Sequence, residues 1–498
     1  MHPHSNSRSP THAATTANLP VGAGQAWSAL GGRPDLLPRL AHCRRSGLLP
    51  SVLPVQELAT GSVAACSLAA AEFTDVRSPG SRASCATVDD AAVASAFASD
   101  RHLRVDGRAV TAFAALSRFW PTADGWVRTH ANYPHHRTRL LQALELAPES
   151  PLGTRAEEQA VVERLGAEIA RRTAAEVEET VCAGGGLAFA LRSPGAWSQH
   201  PQRIAESARP LVRTARLDEE PPPALGRAVA AGPLDGLRVL DLTRVVAGPV
   251  ATRTLGALGA DVLRLDPPHL PELPDTWADT GFGKRSATLD LAGREGRSAL
   301  ERLLAEAHVV LTAYRPGALD RFGLAPEALA TRRPGVLVGR LCAWGESGPW
   351  RHRRGFDSLV QTATGIASLE ATPEGTPGAL PVQALDHATG YLLAAAVLRA
   401  LTDQRTGLPG SRVIDLSLAR TAAWLTDELP HEARPIDGPD DESAPVIRET
   451  DSPLGRLRYV PPPVAQHRPG PQCPEPTTDW PQPPSLFGTD PCEWRSLA

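Results

Sequence analysis

Two residues stand out for the chemistry they could do: an aspartate at the head of an alanine-packed helix, and the chain's single lysine. Asp386 precedes the run Ala388-Thr389-Gly390-Tyr391-Leu392-Leu393-Ala394-Ala395-Ala396-Val397-Leu398. Aspartate is a favoured helix cap, because its oxygens accept the free N–H groups of the first turn. A carboxylate at a positive helix end is also expected to stay ionised, and Gly390 would leave room for a ligand close to the backbone. Lys284 is the only lysine among 51 Lys and Arg residues, in the segment Gly283-Lys284-Arg285-Ser286. It is a compact point charge rather than a planar fork. His130, His135 and His136 suggest a metal cluster by number, but without partner spacing they read as a loop or helix entry, and no metal is expected. His387 reads as an ordinary first-turn helix residue.

Bulk composition narrows the classes of function. The net charge is −4 over 498 residues with both signs dispersed, so there is no basic stripe for nucleic acid or an anionic membrane. The longest apolar stretch, Tyr391 to Leu401, is broken by Arg399 and falls short of the roughly 20 residues of a membrane span. Met1 to Pro20 lacks the apolar core of a signal peptide. The seven cysteines show no CxxC spacing and read as reduced thiols of a cytoplasmic protein.

The elements that must position these residues fall into five stretches. Residues 1–25 read as a flexible leader. Residues 26–215 form an N-terminal region, Ala-rich and without an assignable role up to 110, with a small α+β domain at about 112–215. Residues 216–233 are a Pro-rich linker. From 234 to 429, short apolar strands alternate with helices: strands at 237–242, 261–265, 286–291, 308–314, 336–341 and 412–416, and helices at 250–258, 295–307, 356–369 and 387–402. This alternation predicts an α/β fold, an open, mostly parallel Rossmann-like sheet with helices on both faces. Residues 430–498 are dense in proline and expected to wrap the surface.

The turn after the first of these strands, Thr243-Arg244-Val245-Val246-Ala247-Gly248-Pro249, offers a helix N-terminus to an anion. It is neither G-x-G-x-x-G nor a Walker loop, so Asp266 is not read as the acid of a nicotinamide site. Taken as a whole, Pro233 through Pro249, Leu258-Gly259-Ala260-Asp261, Gly283-Lys284-Arg285-Ser286, Tyr314-Arg315-Pro316-Gly317, Gly345-Glu346-Ser347-Gly348-Pro349 and Gly355-Phe356-Asp357 closely resemble the family III CoA-transferases and their relatives, the 2-methylacyl-CoA racemases.

The resemblance implies an enzyme that moves CoA from an acyl-CoA to a carboxylic acid, with Asp386 as nucleophile and aspartyl anhydride and thioester intermediates. It implies a CoA site lined by Arg244, Val245, Ala247, Lys284, Arg285, Tyr314 and Arg321. CoA and acyl-CoA would be substrates, no cofactor would be held permanently, and the enzyme would be a homodimer. A racemase needs a histidine where this chain has Phe356, which argues against that activity; a non-catalytic CoA-binding protein is the other alternative. Ala123-Asp124-Gly125-Trp126-Val127 and Leu191-Arg192-Ser193-Pro194 resemble the family's small domain, which in this chain precedes the large one.

Overall fold

The structure, a computed structural model, describes residues 19–80, 83–111, 113–147, 154–225, 232–431, 444–467 and 479–496. Most of the expected leader and parts of the linker and of the Pro-rich tail lie outside the described residues.

A seven-stranded sheet organises the molecule. Its strands are β1 (Arg213–Arg216), β2 (Arg238–Leu242), β3 (Asp261–Asp266), β4 (Arg285–Thr288), β5 (Val309–Thr312), β6 (Leu337–Cys342) and β7 (Arg412–Ser417). They lie in the order β4-β3-β2-β5-β6-β7-β1. All pairings are parallel except β1, which runs antiparallel along β7. Register aligns Leu263, Leu240, Val310, Val338 and Val413 in one row across the sheet. All five are buried. That is why these strands read as continuous apolar runs, as expected of a parallel sheet covered on both faces. The α/β class read from sequence is the class found.

The helices that matter for the site are α1 (Val55–Arg77), α2 (Ala247–Ala257), α3 (Asp357–Ala363) and α4 (Ala384–Arg405). Helix α4 packs between α1 and α2, and 17 of the 23 residues of α1 are buried. A helix apolar on all sides has no amphipathic period to read, so the 26–110 stretch gave little away. Gly390 permits the close crossing of α4 on α2. A Cβ there would stand 2.5 Å from the carbonyl oxygen of Ala247. The space at Gly390 is thus filled by protein backbone, not left for a ligand. The helix expected over 356–369 is interrupted by Gly365, whose φ of 89° no ordinary helix residue adopts.

A smaller antiparallel sheet, Phe119–Pro121, Trp126–Thr129 and Ala188–Ala190, is covered by helices Pro134–Ala143, Arg155–Ala170 and Ala174–Ala183. Trp120, Val127, Leu140, Leu165 and Val177 form its core. Thr154 and Thr173 each close a capping box with the glutamate three residues on, which fixes both helix starts. In the C-terminal stretch, Arg448–Ser452 and Gly455–Tyr459 form a hairpin that pairs with Arg104–Val105. Cys43 is disulfide-bonded, which corrects the expectation of reduced thiols throughout; Cys66, Cys85, Cys182, Cys342 and Cys492 are free.

Candidate active site

Helix α4 begins at Ala384, so Asp386 sits inside its first turn and not ahead of it. The cap residue, Gln383, makes no side-chain capping bond. The cap comes instead from the start of α3. The Asp357 carboxylate accepts the backbone N–H of Asp386 at 2.9 Å and that of Leu385, and it also accepts Nε2 of Gln361. Asp386 is thereby released from capping its own helix, and it lines two cavities at once.

The electrostatics of this corner correct one expectation. Burial, and then the neighbouring carboxylate of Asp357, push Asp386 well above the usual carboxylate range. Desolvation outweighs the helix end here, because Asp357 has taken the N–H groups that would have stabilised the charge on Asp386. Asp357 is itself pushed up by burial, to about 6, with its hydrogen bonds opposing the rise.

The larger cavity is a cleft of 340 Å³. Its floor is the turn after β2 (Arg244, Val245, Ala247) and the turn after β5 (Tyr314, Arg315). Strands β2 and β5 are neighbours at the point where the strand order reverses, the crevice in which open parallel sheets bind ligands. Five arginines line the cleft: Arg139, Arg244, Arg315, Arg353 and Arg354. Arg353 pairs with Glu178 and Glu179, and Arg244 stands 3.8 Å from Glu272. Arg139, Arg315 and Arg354 form no ion pair among the described residues, which leaves their charge for an anionic ligand.

Val245 carries backbone strain at this site, with φ at 71°, a left-handed conformation that a β-branched residue resists. Glu272 clasps it: the Val245 N–H donates to Oε2 at 3.0 Å, Arg264 donates to the same carboxylate, and Tyr133 donates its hydroxyl to Oε1 at 2.5 Å. Burial works against the charge on Glu272, yet Arg264 and Arg244 hold it down to about 2.

The smaller cavity, a chamber of 90 Å³, lies against the same carboxyl and shares Tyr133, Val245, Phe356 and Asp386 with the cleft. His130 lies flat on Phe356, and the His136 ring meets Phe356 edge-on. Burial, followed by the charge of Arg128, lowers His130 to about 3, so it is neutral near pH 7. No group of three or more potential metal ligands occurs among the described residues.

Of the residues expected at a CoA site, the structure brings Arg244, Val245, Ala247 and Tyr314 to the cleft beside Asp386. It does not bring Lys284, Arg285 or Arg321. Lys284 is buried with its Nζ 3.2 Å from Asp241, and burial lowers it to about 8 against the pull of that aspartate. Asp241 also accepts Thr243 and Thr252, so Lys284 neutralises a hub that ties β2 to its turn and to α2. Arg285 is held bidentate by Asp261 and donates to the carbonyl of Glu493. Arg321 stands over the ring of Phe322 in the short 3₁₀ turn. Sequence reasoning missed Arg139, Arg353, Arg354 and His136 as cleft residues. The basic run Arg351-His352-Arg353-Arg354, directly before Gly355-Phe356-Asp357, was the available signal for two of them.

Comparison with known proteins agrees with the resemblance. Residues 234–448 match the model of CoA-transferase family III. The chain is 37% identical over 209 residues to a probable fatty acyl-CoA transferase of Mycobacterium tuberculosis, covering 39% of this chain and 52% of that one. It is 34% identical over 211 residues to the succinyl-CoA–L-malate CoA-transferase beta subunit of Chloroflexus aurantiacus, covering 40% and 52%. The chain thus spans about half the length of these curated relatives. Among solved structures, a CAIB/BAIF family protein from Brucella suis is 29% identical, covering 45% of this chain and 65% of that one, with a TM-score of 0.37.

Proposed function

From the family III match of residues 234–448, we propose that the protein transfers CoA from an acyl-CoA thioester to a carboxylic acid, with Asp386 as nucleophile. One observation carries the reading. Asp386, relieved of capping by Asp357, lines both an arginine-lined cleft and a smaller chamber. The cleft suits the phosphates of CoA, since unpaired guanidinium groups beside the α2 N-terminus favour polyanions. A thioester reaching from the cleft would meet Asp386 at the junction.

The chemistry follows from carboxylate nucleophilic catalysis. An oxygen of Asp386 adds to the thioester carbonyl and the C–S bond breaks, giving a mixed anhydride and the CoA thiolate. The thiolate attacks the aspartyl carbonyl, releasing the donor acid and leaving an aspartyl-CoA thioester. The acceptor carboxylate then displaces the thiolate to form a second anhydride. Attack of the thiolate on the acceptor's acyl carbon yields the new acyl-CoA and restores Asp386. CoA is substrate throughout, and the reaction calls on no permanently bound cofactor. The reading extends to a cytoplasmic homodimer with its small domain ahead of the large one; sedimentation tests the dimer.

Acyl-CoA followed by hydroxylamine or borohydride, then peptide mapping, tests the mechanism. A modified peptide at Asp386, absent from Asp386→Asn, is the expected result. Acyl-CoA binding with no modification and no turnover would leave a CoA-binding protein instead.

A further inference from the structure

The chamber differs from the cleft in the charge of its wall. The cleft presents five arginines; the chamber presents Asp100, Asp275 and Asp279 besides Asp357 and Asp386, and neither lysine nor arginine. Two of these acids are paired with arginines. Arg108 holds Asp275 bidentate, and Arg253 holds Asp279 together with the hydroxyl of Ser99. Asp100 forms no ion pair among the described residues and accepts the N–H of Arg101; burial and the nearby Asp279 raise it above its ordinary value. His130, the one imidazole of this wall, is held neutral. The nearby Arg128 is not part of the lining, and its guanidinium stacks on the rings of Phe113 and Phe119 at 5.2 and 4.8 Å.

Beyond these five acids and His130, the wall is apolar or neutral. Val110, Phe113, Val246 and Leu273 supply hydrocarbon, and Thr111, Ser358 and Gln383 supply uncharged polar groups. Oε1 of Gln383 is buried and has no hydrogen-bond partner. A carboxylate placed here would lose part of its hydration, meet no unpaired cation in the wall and face acids, an arrangement that disfavours the charge. A short hydrocarbon or hydroxylated chain meets no such barrier.

We infer that the chamber receives the acyl group and selects short acyl chains that carry no second carboxylate. The inference rests on the CoA-transfer reading for the placement of the thioester, and it deepens that reading by naming the substrate class. It sets this chain apart from the relative named for succinyl-CoA and malate, whose substrates are dicarboxylic.

Titration calorimetry of the whole protein with butanoyl-CoA and succinyl-CoA, matched in chain length and differing in the terminal carboxylate, tests it without requiring turnover. Butanoyl-CoA is expected to bind at least about tenfold more tightly, the equivalent of about 1.4 kcal/mol. In Asp100→Asn the ratio is expected to fall at least threefold. Succinyl-CoA binding as tightly as butanoyl-CoA, or an unchanged ratio in the variant, overturns the inference even if Asp386 proves to be the nucleophile. A butanoyl-CoA preference without labelling of Asp386 upholds it while removing the transfer reading. Saturable binding of neither thioester sinks both.

Discussion

Asp357 and Asp386 meet in one buried corner, and the hydrogen bonds there go to Asp357: it accepts the N–H of Asp386 at 2.9 Å, whereas no donor among the described residues reaches the carboxyl of Asp386. The two acids are therefore unequal. The one that caps carries the charge at lower cost, and the one left bare is primed to shed its proton only when something in the cleft favours it.

The first consequence is a pH-dependent cost in stability. Asp386 is raised in the folded state, so between the unfolded value near 3.9 and the folded value the native chain binds more protons than the unfolded chain. Stability is full below that window and falls as pH rises through it. Asp386→Asn removes the liability. Thermal melts are expected to show no advantage for the variant near pH 4 and a growing one towards pH 8. A pH-independent difference would contradict the shared-corner electrostatics.

Asp357→Ala should act twice. It leaves the N–H groups of Leu385 and Asp386 and the amide of Gln361 without their acceptor, a loss of about 1–3 kcal/mol for a buried unsatisfied group. It also removes the charge beside Asp386, so the rise of kcat with pH should move to lower pH. Urea unfolding and a kcat profile measure the two separately; a loss of stability with an unmoved profile would confine Asp357 to structure.

The arginines divide by what they touch. Arg139→Ala or Arg354→Ala should weaken CoA binding about tenfold, the worth of one charge-assisted bond to phosphate, and the loss should shrink at high salt. Arg321→Ala, outside the cleft, should leave the Kd within about threefold. Equal effects from all three would mean that CoA does not lie in the arginine cleft.

Lys284→Gln should damage the fold rather than the binding constant. It breaks a fully buried pair with Asp241 at 3.2 Å, for which about 3–5 kcal/mol is typical. A shifted urea midpoint with the CoA affinity of the folded fraction retained is the expected pattern; an intact midpoint with lost affinity would return Lys284 to the ligand site.

These outcomes also show where the sequence was legible. Six of the seven strands of the large sheet were, because a parallel sheet buried on both faces leaves apolar runs such as Val309–Thr312; the exposed antiparallel edge strand β1 was not. Asp386 stands out in the sequence, but its own helix suggests the wrong partner; the competitor for the cap lies 29 residues earlier, at Asp357. Lys284 is conspicuous for its rarity, which says nothing of depth, and only the position of β4 shows it pointing at Asp241. Arg139 and Arg354 come from distant segments that only the packed fold brings to one cleft. Chamber residues such as Asp100 and Val110 belong to the stretch, up to residue 110, whose buried helices gave no period to read.

The clasp on Val245 has one more implication. Its outermost member, Tyr133, precedes the region that matches the family by about a hundred positions, yet it holds the acid that keeps the β2 turn in its unfavourable left-handed shape. A protein trimmed to residues 234–498 would retain every strand from β2 to β7 and still let that turn relax, blunting the mouth of the crevice. The amino-terminal half is thus part of the tool's cutting edge, not its handle.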